Sequence, residues 1–304
     1  MPSILGIAVA GMLVICAASG SLEARGENEM KLRKLSAEES RVIIDKGTER
    51  PFSGKYVNHK KEGIYCCRQC GAGLYRSESK FESHCGWPAF DDYITGAVKM
   101  LPDVDGRRTE IVCARCNGHL GHVFYGEKFT DKGVRHCVNS VSMKFLGADE
   151  VRTGVFAGGC FWGVEFRFQG VPGVVMTRAG YTGGKTDKPE YKQVCGGDTG
   201  HIEAVEVKFD PEIVSYAKLV EFFFGIHDPE LLNRQGADIG YQYRSAIFSQ
   251  DESQRLVADK IIKRLRAEGV DVLTELRAAT VFWPAEERHQ GYMRKKEGKR
   301  INHE

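Results

Sequence analysis

The distribution of hydrophobic and polar residues divides the chain into two halves with different periodicities. In the first half, apolar side chains recur in short alternating runs, as at Ile64–Cys66, Thr109–Cys113 and Val134–Phe145. Alternation with a period of two is typical of strands that bury one face. We therefore predict a compact antiparallel β domain, preceded by a helix over Met30–Gly47 that starts near Ser36.

In the second half, segments with strand patterns alternate with segments of helical period. The predicted strands are Val151–Ala157, Ala204–Phe209 and Ser245–Phe248, and the predicted helices are Phe161–Gln169, Val214–Gly225 and Ser253–Ala267. Such alternation predicts an α/β sandwich. The short polar segment from Gly147 to Gly154 separates the halves, so we expect domains at residues 30–147 and 154–304 joined by a linker at 148–153.

Residues 1–24 differ from both halves. Ile4–Ala18 is apolar and is followed by the polar run SLEARGENE. This stretch is shorter than the roughly 20 residues that a membrane span needs, and it matches the apolar core of a secretory signal. We expect export to the periplasm or cell envelope, with an uncleaved anchor as the alternative. The isoleucine before Cys16 argues against a lipid anchor on that cysteine.

Composition and charge exclude some functions. The 304 residues are 42% hydrophobic and 28% charged, and 43 basic residues against 41 acidic ones leave a net charge of +2. This near balance gives no basic footprint for nucleic acid. Small neutral substrates and protein partners remain open, and nothing in the composition indicates an oligomeric state.

Four of the ten cysteines form two CxxC pairs, Cys67–Cys70 and Cys113–Cys116. Two such knuckles are typical of a closed, structural, four-thiolate zinc site. Disulfides are the alternative in an exported protein, and iron could replace zinc. Cys66 competes with Cys67 as the first ligand, but only Cys67 has the CxxC spacing.

Cys137 is the candidate for a reactive thiol in the first half. Strand alternation places Arg135, Cys137 and Asn139 on one face, which continues as far as Phe145. A neighbouring cation lowers the pKa of a thiol and favours the nucleophilic thiolate. From these residues alone, a buried and inert cysteine is the better interpretation.

Cys160 is the corresponding candidate in the second half. It follows Gly158 and Gly159 and precedes a predicted helix. The partial positive charge at a helix N-terminus favours a thiolate. We therefore expect a reactive Cys160, against the alternative of a cysteine that only packs.

Glu203 continues the apolar face of a predicted strand that also carries Val205, Val207 and Phe209, whereas Glu206 and Lys208 point the other way. Burial raises the pKa of a carboxyl group and keeps it protonated, as a general acid at neutral pH requires. The alternative is a solvated carboxylate at the edge of the sheet.

The first half resembles the B-type methionine sulfoxide reductases from about Lys31 to Gly147. The two knuckles, CGWPAF, GHLGHVF and RHCVNS occur in the order of that family. The resemblance implies Cys137 as nucleophile and Cys85 as resolving cysteine. It implies a structural zinc ion on Cys67, Cys70, Cys113 and Cys116. The residues implied at the substrate are His119, His122, Asn139 and Trp87. The family often has an aromatic residue where this chain has His136.

The second half resembles the A-type methionine sulfoxide reductases from about Thr153 to Tyr292. GCFWGVE, GYTGG, YKQVCGGDTGHIEAVEV, LLNRQGADIGYQYRSAIF and FWPAEERHQGYM follow the order of that family. The resemblance implies a mixed sheet, Cys160 as nucleophile and Glu203 as acid. The substrate-binding residues that it implies are Phe161, Trp162, Tyr191, Asp238 and Tyr243. The usual C-terminal resolving cysteine is absent, and Cys195 is the other cysteine of this half.

Together the resemblances imply reduction of free or protein-bound methionine sulfoxide through a cysteine sulfenic acid. The B-type half would take the R epimer and the A-type half the S epimer. A thioredoxin-like donor would recycle the enzyme, and no organic cofactor is expected. Two other classes are a zinc-ribbon binding module, which the neutral charge disfavours, and a thiol peroxidase, which would consume peroxide without methionine sulfoxide.

Overall fold

The computed structural model describes residues 32–301 of the chain. The predicted signal at residues 1–24, including Cys16, lies outside the described residues, so export stays a prediction. Within residues 32–301, no helix is both long and apolar enough to cross a membrane.

The first domain is built from two antiparallel sheets, as its alternating pattern predicted. Its strands are β1 Gly63–Cys67, β2 Gly73–Arg76, β3 Lys80–Phe81, β4 Ala89–Phe90, β5 Val98–Pro102, β6 Thr109–Cys113, β7 His119–Tyr125, β8 Val134–Val138 and β9 Met143–Gly147. The smaller sheet has the order β2-β1-β9 and the larger one β3-β4-β8-β7-β6-β5. The larger sheet brings β8, which carries Cys137, between β4 and β7.

The N-terminal helix, α1 Ala37–Ile43, is shorter than predicted. It begins as expected, because the Ser36 hydroxyl accepts a hydrogen bond from the backbone N–H of Glu39 in a capping box. The prediction of a helix over Met30–Gly47 was nevertheless wrong in extent. Only Val42 and Ile43 of the helix are buried, so packing supports little more than two turns.

The run Val134–Phe145 is not one strand, and this corrects the predicted common face. A 3₁₀ turn at Ser140–Ser142 separates β8 from β9, which belong to different sheets. The Ser140 hydroxyl accepts a hydrogen bond from the backbone N–H of Tyr56, and the Ser142 hydroxyl donates to the carbonyl of His119. These local bonds compete with strand pairing, so the face shared with Cys137 ends before Val141.

The second domain is a mixed sheet with helices packed against it. Its strands are β10 Arg152–Gly158, β11 Val174–Thr182, β12 Ile202–Phe209, β13 Arg234–Gln235, β14 Asp238–Ile239, β15 Ser245–Ser249, β16 Glu275–Ala278 and β17 Trp283–Pro284. Its helices are α2 Phe161–Gln169, α3 Tyr191–Gly196, α4 Tyr216–Ile226, α5 Glu252–Ala267 and α6 Tyr292–Ile301. The sheet order is β16-β15-β10-β12-β11-β17, and only the β15–β16 pair of these is parallel.

The two domains bury apolar residues against each other. Val175 and Met176 of β11 are 3% and 5% exposed and belong to the hydrophobic core of the first domain. The Nε and Nη2 of Arg76 both lie 3.4 Å from the sulfur of Met176. A Cβ added at Gly73 would lie 2.2 Å from the carbonyl oxygen of Val175, so only glycine permits this approach of the two domains.

Candidate active sites and metal centre

In the first domain, Cys137 and Cys85 lie close together beside the larger sheet. Cys137 is on β8 and Cys85 lies in the loop between β3 and β4, and their Sγ atoms are 3.7 Å apart. This distance is about twice the S–S bond length of 2.05 Å, so both are thiols within reach of a disulfide. The pairing register places His122 of β7 directly opposite Cys137.

The hydrogen bond within this thiol pair favours a thiolate at Cys85 rather than at Cys137, where the neighbouring Arg135 had suggested one. The hydrogen bond from Cys137 lowers the pKa of Cys85 to about 5, helped by the Ser83 hydroxyl 2.9 Å away. The hydrogen bond to Cys85 and burial raise the pKa of Cys137. Arg135 acts in the predicted direction but is outweighed by Cys85 and burial; its guanidinium is held by Glu127 at 2.6 and 2.9 Å.

Two histidines of β7 face the thiol pair with different partners. The Nδ1 of His119 lies 2.7 Å from a carboxylate oxygen of the buried Glu110, and its Nε2 is buried without a hydrogen-bond partner among the described residues. Burial lowers the pKa of His119 although Glu110 opposes this. The Nε2 of His122 lies 2.8 Å from Asp103. The free Nε2 of His119 is therefore the nitrogen available to a substrate.

Asn139 and Trp87 are anchored to the backbone around this site. The side-chain oxygen of Asn139 accepts from the N–H of Glu49 at 3.0 Å, and its amide donates to the carbonyl of Leu120 at 3.1 Å. The indole N–H of Trp87 donates to the carbonyl of Glu49 at 3.1 Å. Asn139 thus holds the end of β8 through its two hydrogen bonds.

His136, the residue that departs from the family pattern, is fully buried on the opposite face of β8. Its Nδ1 contacts the Tyr75 hydroxyl at 3.2 Å, and its Nε2 has no partner in the described part of the chain. Burial lowers the pKa of His136 to about 4. It is therefore a neutral core residue that takes the place of an aromatic ring.

The two CxxC pairs form one compact cluster of four sulfur atoms. The Sγ atoms of Cys67, Cys70, Cys113 and Cys116 all lie within 4.8 Å of one another. The pairs Cys67–Cys116 and Cys70–Cys113 are both 3.6 Å apart. A tetrahedral site with Zn–S bonds of about 2.3 Å has edges of about 3.8 Å, so the cluster fits a four-thiolate metal site. Cys66 points away from it, toward the carbonyl of Ile64.

In the second domain, Cys160 is the N-cap of α2 at the end of β10. Gly159 has φ +90°, and a Cβ there would lie 2.6 Å from the Cβ of Gln235, so the turn requires glycine. Burial and the neighbouring Glu203 raise the pKa of Cys160 to about 11, although the N–H groups of Trp162 and Gly163 lower it. The expected thiolate at the helix start is therefore not the resting state, because desolvation outweighs the helix N-terminus.

Glu203 lies on β12, inside the sheet, and is 1% exposed. Its carboxyl group accepts a hydrogen bond from the N–H of Phe161 at 3.0 Å. Burial raises the pKa of Glu203 to about 7, with a contribution from Asp238. The interpretation of Glu203 as a solvated residue at the sheet edge was wrong.

Aromatic side chains surround the Cys160–Glu203 pair. The rings of Phe161 and Tyr191 stack at a centroid distance of 6.4 Å, and Phe161 also contacts Trp162. Burial raises the pKa of Tyr243 to about 12, and the charges of Glu203, Asp238 and Cys160 add to this effect. Asp238 itself is exposed at the rim, on β14. The predicted pocket residues therefore gather around one thiol and one acid.

Sequence reasoning did not single out the C-terminal residues that support this pocket. His289 lies 3.2 Å from the indole nitrogen of Trp162, and Tyr292 stacks on Trp162 at 4.0 Å. Glu286 accepts hydrogen bonds from the Tyr181 hydroxyl and from the N–H of Tyr191. The motif FWPAEERHQGYM was the available signal, because it places these three polar or aromatic groups within seven residues.

Cys195 lies in α3, one turn after Tyr191, and is exposed. Its thiol interacts with the Tyr191 side chain, and burial raises the pKa of Cys195. Charge at Cys195 also raises the pKa of Tyr243, which places Cys195 near the pocket that contains Cys160.

Two domains that each bring a half-buried thiol next to an acid or a histidine define a thiol-dependent oxidoreductase. The family model "Peptide methionine sulfoxide reductase" matches residues 152–304, and the model "SelR domain" matches residues 35–147. The chain therefore belongs to the peptide methionine sulfoxide reductases, with a SelR domain fused before the A-type domain. Both domains are methionine sulfoxide reductase domains, so the chain is an enzyme with two peptide-methionine sulfoxide reductase activities, one in each domain.

Individual relatives match the second domain. The peptide methionine sulfoxide reductase MsrA of Chromobacterium violaceum is 48% identical over 141 residues, which are 45% of this chain and 80% of that protein. The MsrA of Methanothermobacter thermautotrophicus is 50% identical over 143 residues, covering 46% and 85%. The crystal structure of reduced Mxr1 from Saccharomyces cerevisiae is 33% identical, covers 49% of this chain and 88% of that one, and has a TM-score of 0.48.

Proposed function

We propose that the first domain reduces the R epimer of methionine sulfoxide and the second domain the S epimer, in free methionine or in proteins. The observation that carries the proposal is the pairing of Cys160 with a buried carboxyl group, Glu203, whose pKa is about 7. At neutral pH about half of such a group is protonated, as a general acid must be. The separate thiol pair of the first domain supplies a second, independent site.

In the second domain, Cys160 attacks the sulfoxide sulfur while Glu203 donates a proton to the oxygen. The S–O bond of the substrate breaks and methionine leaves. In this step the S–S bond formed by the attack breaks and the protonated oxygen is transferred to the sulfur of Cys160. The proton that the thiol loses restores Glu203, so that a sulfenic acid is the product. Phe161 and Trp162 provide the apolar surface for the methyl group of the substrate.

In the first domain, Cys137 is the nucleophile and Cys85 receives its proton. The Sγ separation of 3.7 Å permits this transfer as Cys137 approaches the substrate. His119, with Nδ1 donating to Glu110 and both ring nitrogens protonated, donates the proton of its unpartnered Nε2 to the sulfoxide oxygen, with His122 beside it. The S–O bond of the substrate then breaks, the oxygen is transferred to the sulfur of Cys137 and methionine leaves. The resulting sulfenic acid on Cys137 then condenses with the Cys85 thiol, which releases water and leaves a disulfide.

Each catalytic cycle needs two electrons from outside the protein. A thioredoxin-like dithiol supplies them by attacking the Cys85–Cys137 disulfide, so that the donor is oxidised and both protein thiols are restored. The four-cysteine cluster is proposed to hold a zinc ion. When bound, zinc supplies a structural cross-link between the two knuckles, because four thiolates leave no open coordination position.

Epimer-specific assays on single-cysteine variants test the division of labour. Cys137→Ser should abolish R-epimer reduction and leave S-epimer reduction near the wild-type rate, and Cys160→Ser should do the reverse. Cys66→Ser is the control, because Cys66 is buried in the first domain but belongs to neither the thiol pair nor the cluster. If either active-site variant lost both activities while remaining folded, independent sites would be excluded.

A further inference from the structure

The second cysteine knuckle reaches across to the other domain. Arg115 lies between Cys113 and Cys116, and its Nη2 donates to the carbonyl of Gln169 at 2.6 Å and to that of Val174 at 3.1 Å. Gln169 is the last residue of α2 and Val174 the first residue of β11. One guanidinium group therefore joins both ends of the turn between these elements.

A second arginine converges on the same carbonyl. The Nη2 of Arg294, on α6, donates to the oxygen of Gln169 at 3.1 Å. The last carbonyls of a helix lack intrahelical partners and carry partial negative charge, so cations there are stabilising. Arg115 and Arg294 thus cap the C-terminal end of the helix whose N-cap is Cys160.

Arg115 brings an incompletely paired guanidinium group to this contact. The Nε and Nη1 of Arg115 are buried and have no hydrogen-bond partner among residues 32–301. Four thiolates around one divalent cation carry a net charge of two negatives, which Arg115 and Arg294 match.

We propose that the second knuckle is a docking element for the A-type domain, and that metal binding in the first domain fixes the C-terminal end of α2 through Arg115. Arg115 is then a positioning residue for the helix that carries Cys160, and the metal stabilises both domains. This inference rests on the proposed metal site, whereas the contacts of Arg115 with Gln169 and Val174 do not depend on it.

Hydrogen–deuterium exchange on the full chain tests the docking. In metal-loaded protein, Arg115→Met removes both hydrogen bonds and keeps most of the aliphatic stem. Exchange of the amides at residues 170–176 should become about tenfold faster, as expected when a hydrogen bond from a charged donor is lost. The matched control is Arg68→Met, because Arg68 occupies the first knuckle and its side chain is paired with Glu39 of α1.

Activity assays and a conservative substitution distinguish a positioning role of Arg115 from a general destabilisation of the protein. S-epimer reduction by Arg115→Met should fall about tenfold, in line with the free energy of one charged hydrogen bond, with metal content and R-epimer reduction unchanged. Arg115→Lys keeps the charge and can bond one carbonyl, so it should restore part of both the protection and the activity. If Arg115→Met fails to fold, Arg115→Lys alone provides the comparison with Arg68→Met.

Removal of the metal provides a second test of the proposed link between the metal site and α2. Treating the reduced wild-type protein with a chelator should accelerate exchange at residues 170–176, while α5 in the same domain stays protected. Protein purified under reducing conditions with no bound metal would overturn the proposed metal site, and the Arg115 arm would still test the docking. Unchanged exchange at residues 170–176 in Arg115→Met, or after loss of a metal that had been bound, would overturn the inference.

Discussion

The carboxyl group of Glu203 lies 1% exposed beside a thiol whose own pKa is raised by burial. Because the pKa of Glu203 is about 7 rather than 4.5, the protonated form persists to neutral pH. Protonation of the sulfoxide oxygen needs that form. S-epimer reduction should therefore decline as the pH rises through about 7, whereas a carboxyl group of ordinary pKa would have lost its proton about two and a half pH units lower.

Glu203→Gln tests this role. The amide can still donate a hydrogen bond but cannot transfer a proton, so kcat for the S epimer should fall about 10²–10⁴-fold and the decline near pH 7 should disappear. Glu206→Gln is the control, since Glu206 is on the same strand and pairs with Arg178 on the other face. A Glu203→Gln variant with the wild-type pH profile would rule out Glu203 as the acid.

Cys160 lacks the partner that Cys137 has in Cys85. Cys195 is near the same pocket, but it is exposed and associates with Tyr191 rather than with Cys160. We therefore expect Cys160 to persist as a sulfenic acid until an external thiol reaches it.

One equivalent of S-epimer substrate on Cys137→Ser protein, followed by a sulfenic-acid trap and peptide mass spectrometry, should label Cys160. Adding Cys195→Ser to this protein should leave the yield of trapped product unchanged. A Cys160–Cys195 disulfide in place of the trapped product would instead make Cys195 the resolving residue.

In the two CxxC knuckles, the positions of the sulfur atoms decide which cysteines can bind the metal ion. Cys66 and Cys67 are adjacent and both 1% exposed, yet only Cys67 belongs to the cluster. Cys67→Ser should release about one equivalent of metal and destabilise the first domain, because a tetrahedral thiolate site contributes directly to folding. Cys66→Ser should retain the metal. Elemental analysis and thermal unfolding of the two variants check this, and equal metal content in both would refute the assignment.

Elements with a clean period could be predicted from the sequence, and those shaped by tertiary contacts could not. Helix α2 and the strand around Glu203 follow local patterns, so their predicted bounds differ little from the observed ones. The 3₁₀ turn at Ser140–Ser142 depends on partners more than twenty residues away, as the bond of Ser142 to His119 illustrates. The sequence motifs identified Cys137 and Cys160 as candidate nucleophiles. The pKa values of their thiols could not be predicted, because they depend on burial and on the neighbouring Cys85 and Glu203, which only the folded structure shows.

At the scale of residues 32–301, the two domains share part of a hydrophobic core. Val175 belongs to the second domain and is buried in the core of the first. A polar substitution at Val175 should therefore destabilise both domains. Val175→Ser should cost about 1–3 kcal/mol, which for domains of this size corresponds to about 2–4 °C per kcal/mol. The temperature at which R-epimer reduction is inactivated should fall by the corresponding amount, although the substitution lies in the A-type domain.

Val155→Ser is the matched control for this experiment. Val155 is 5% exposed and packs only within the second domain's own cluster. It should lower the inactivation temperature of S-epimer reduction and leave that of R-epimer reduction unchanged. If Val175→Ser and Val155→Ser had the same effect on R-epimer reduction, the shared core would not couple the domains.

Met176, 5% exposed between the domains, makes this enzyme itself vulnerable to oxidation. Conversion of a buried methionine to its sulfoxide makes an apolar side chain polar and disrupts the core around it. While the domains stay together, oxidants in solution have little access to the sulfur of Met176. Oxidation of Met176 would then require the interface to open, and the polar sulfoxide would hinder its closing. The lifetime of the enzyme under oxidative stress therefore depends on how often its two domains separate.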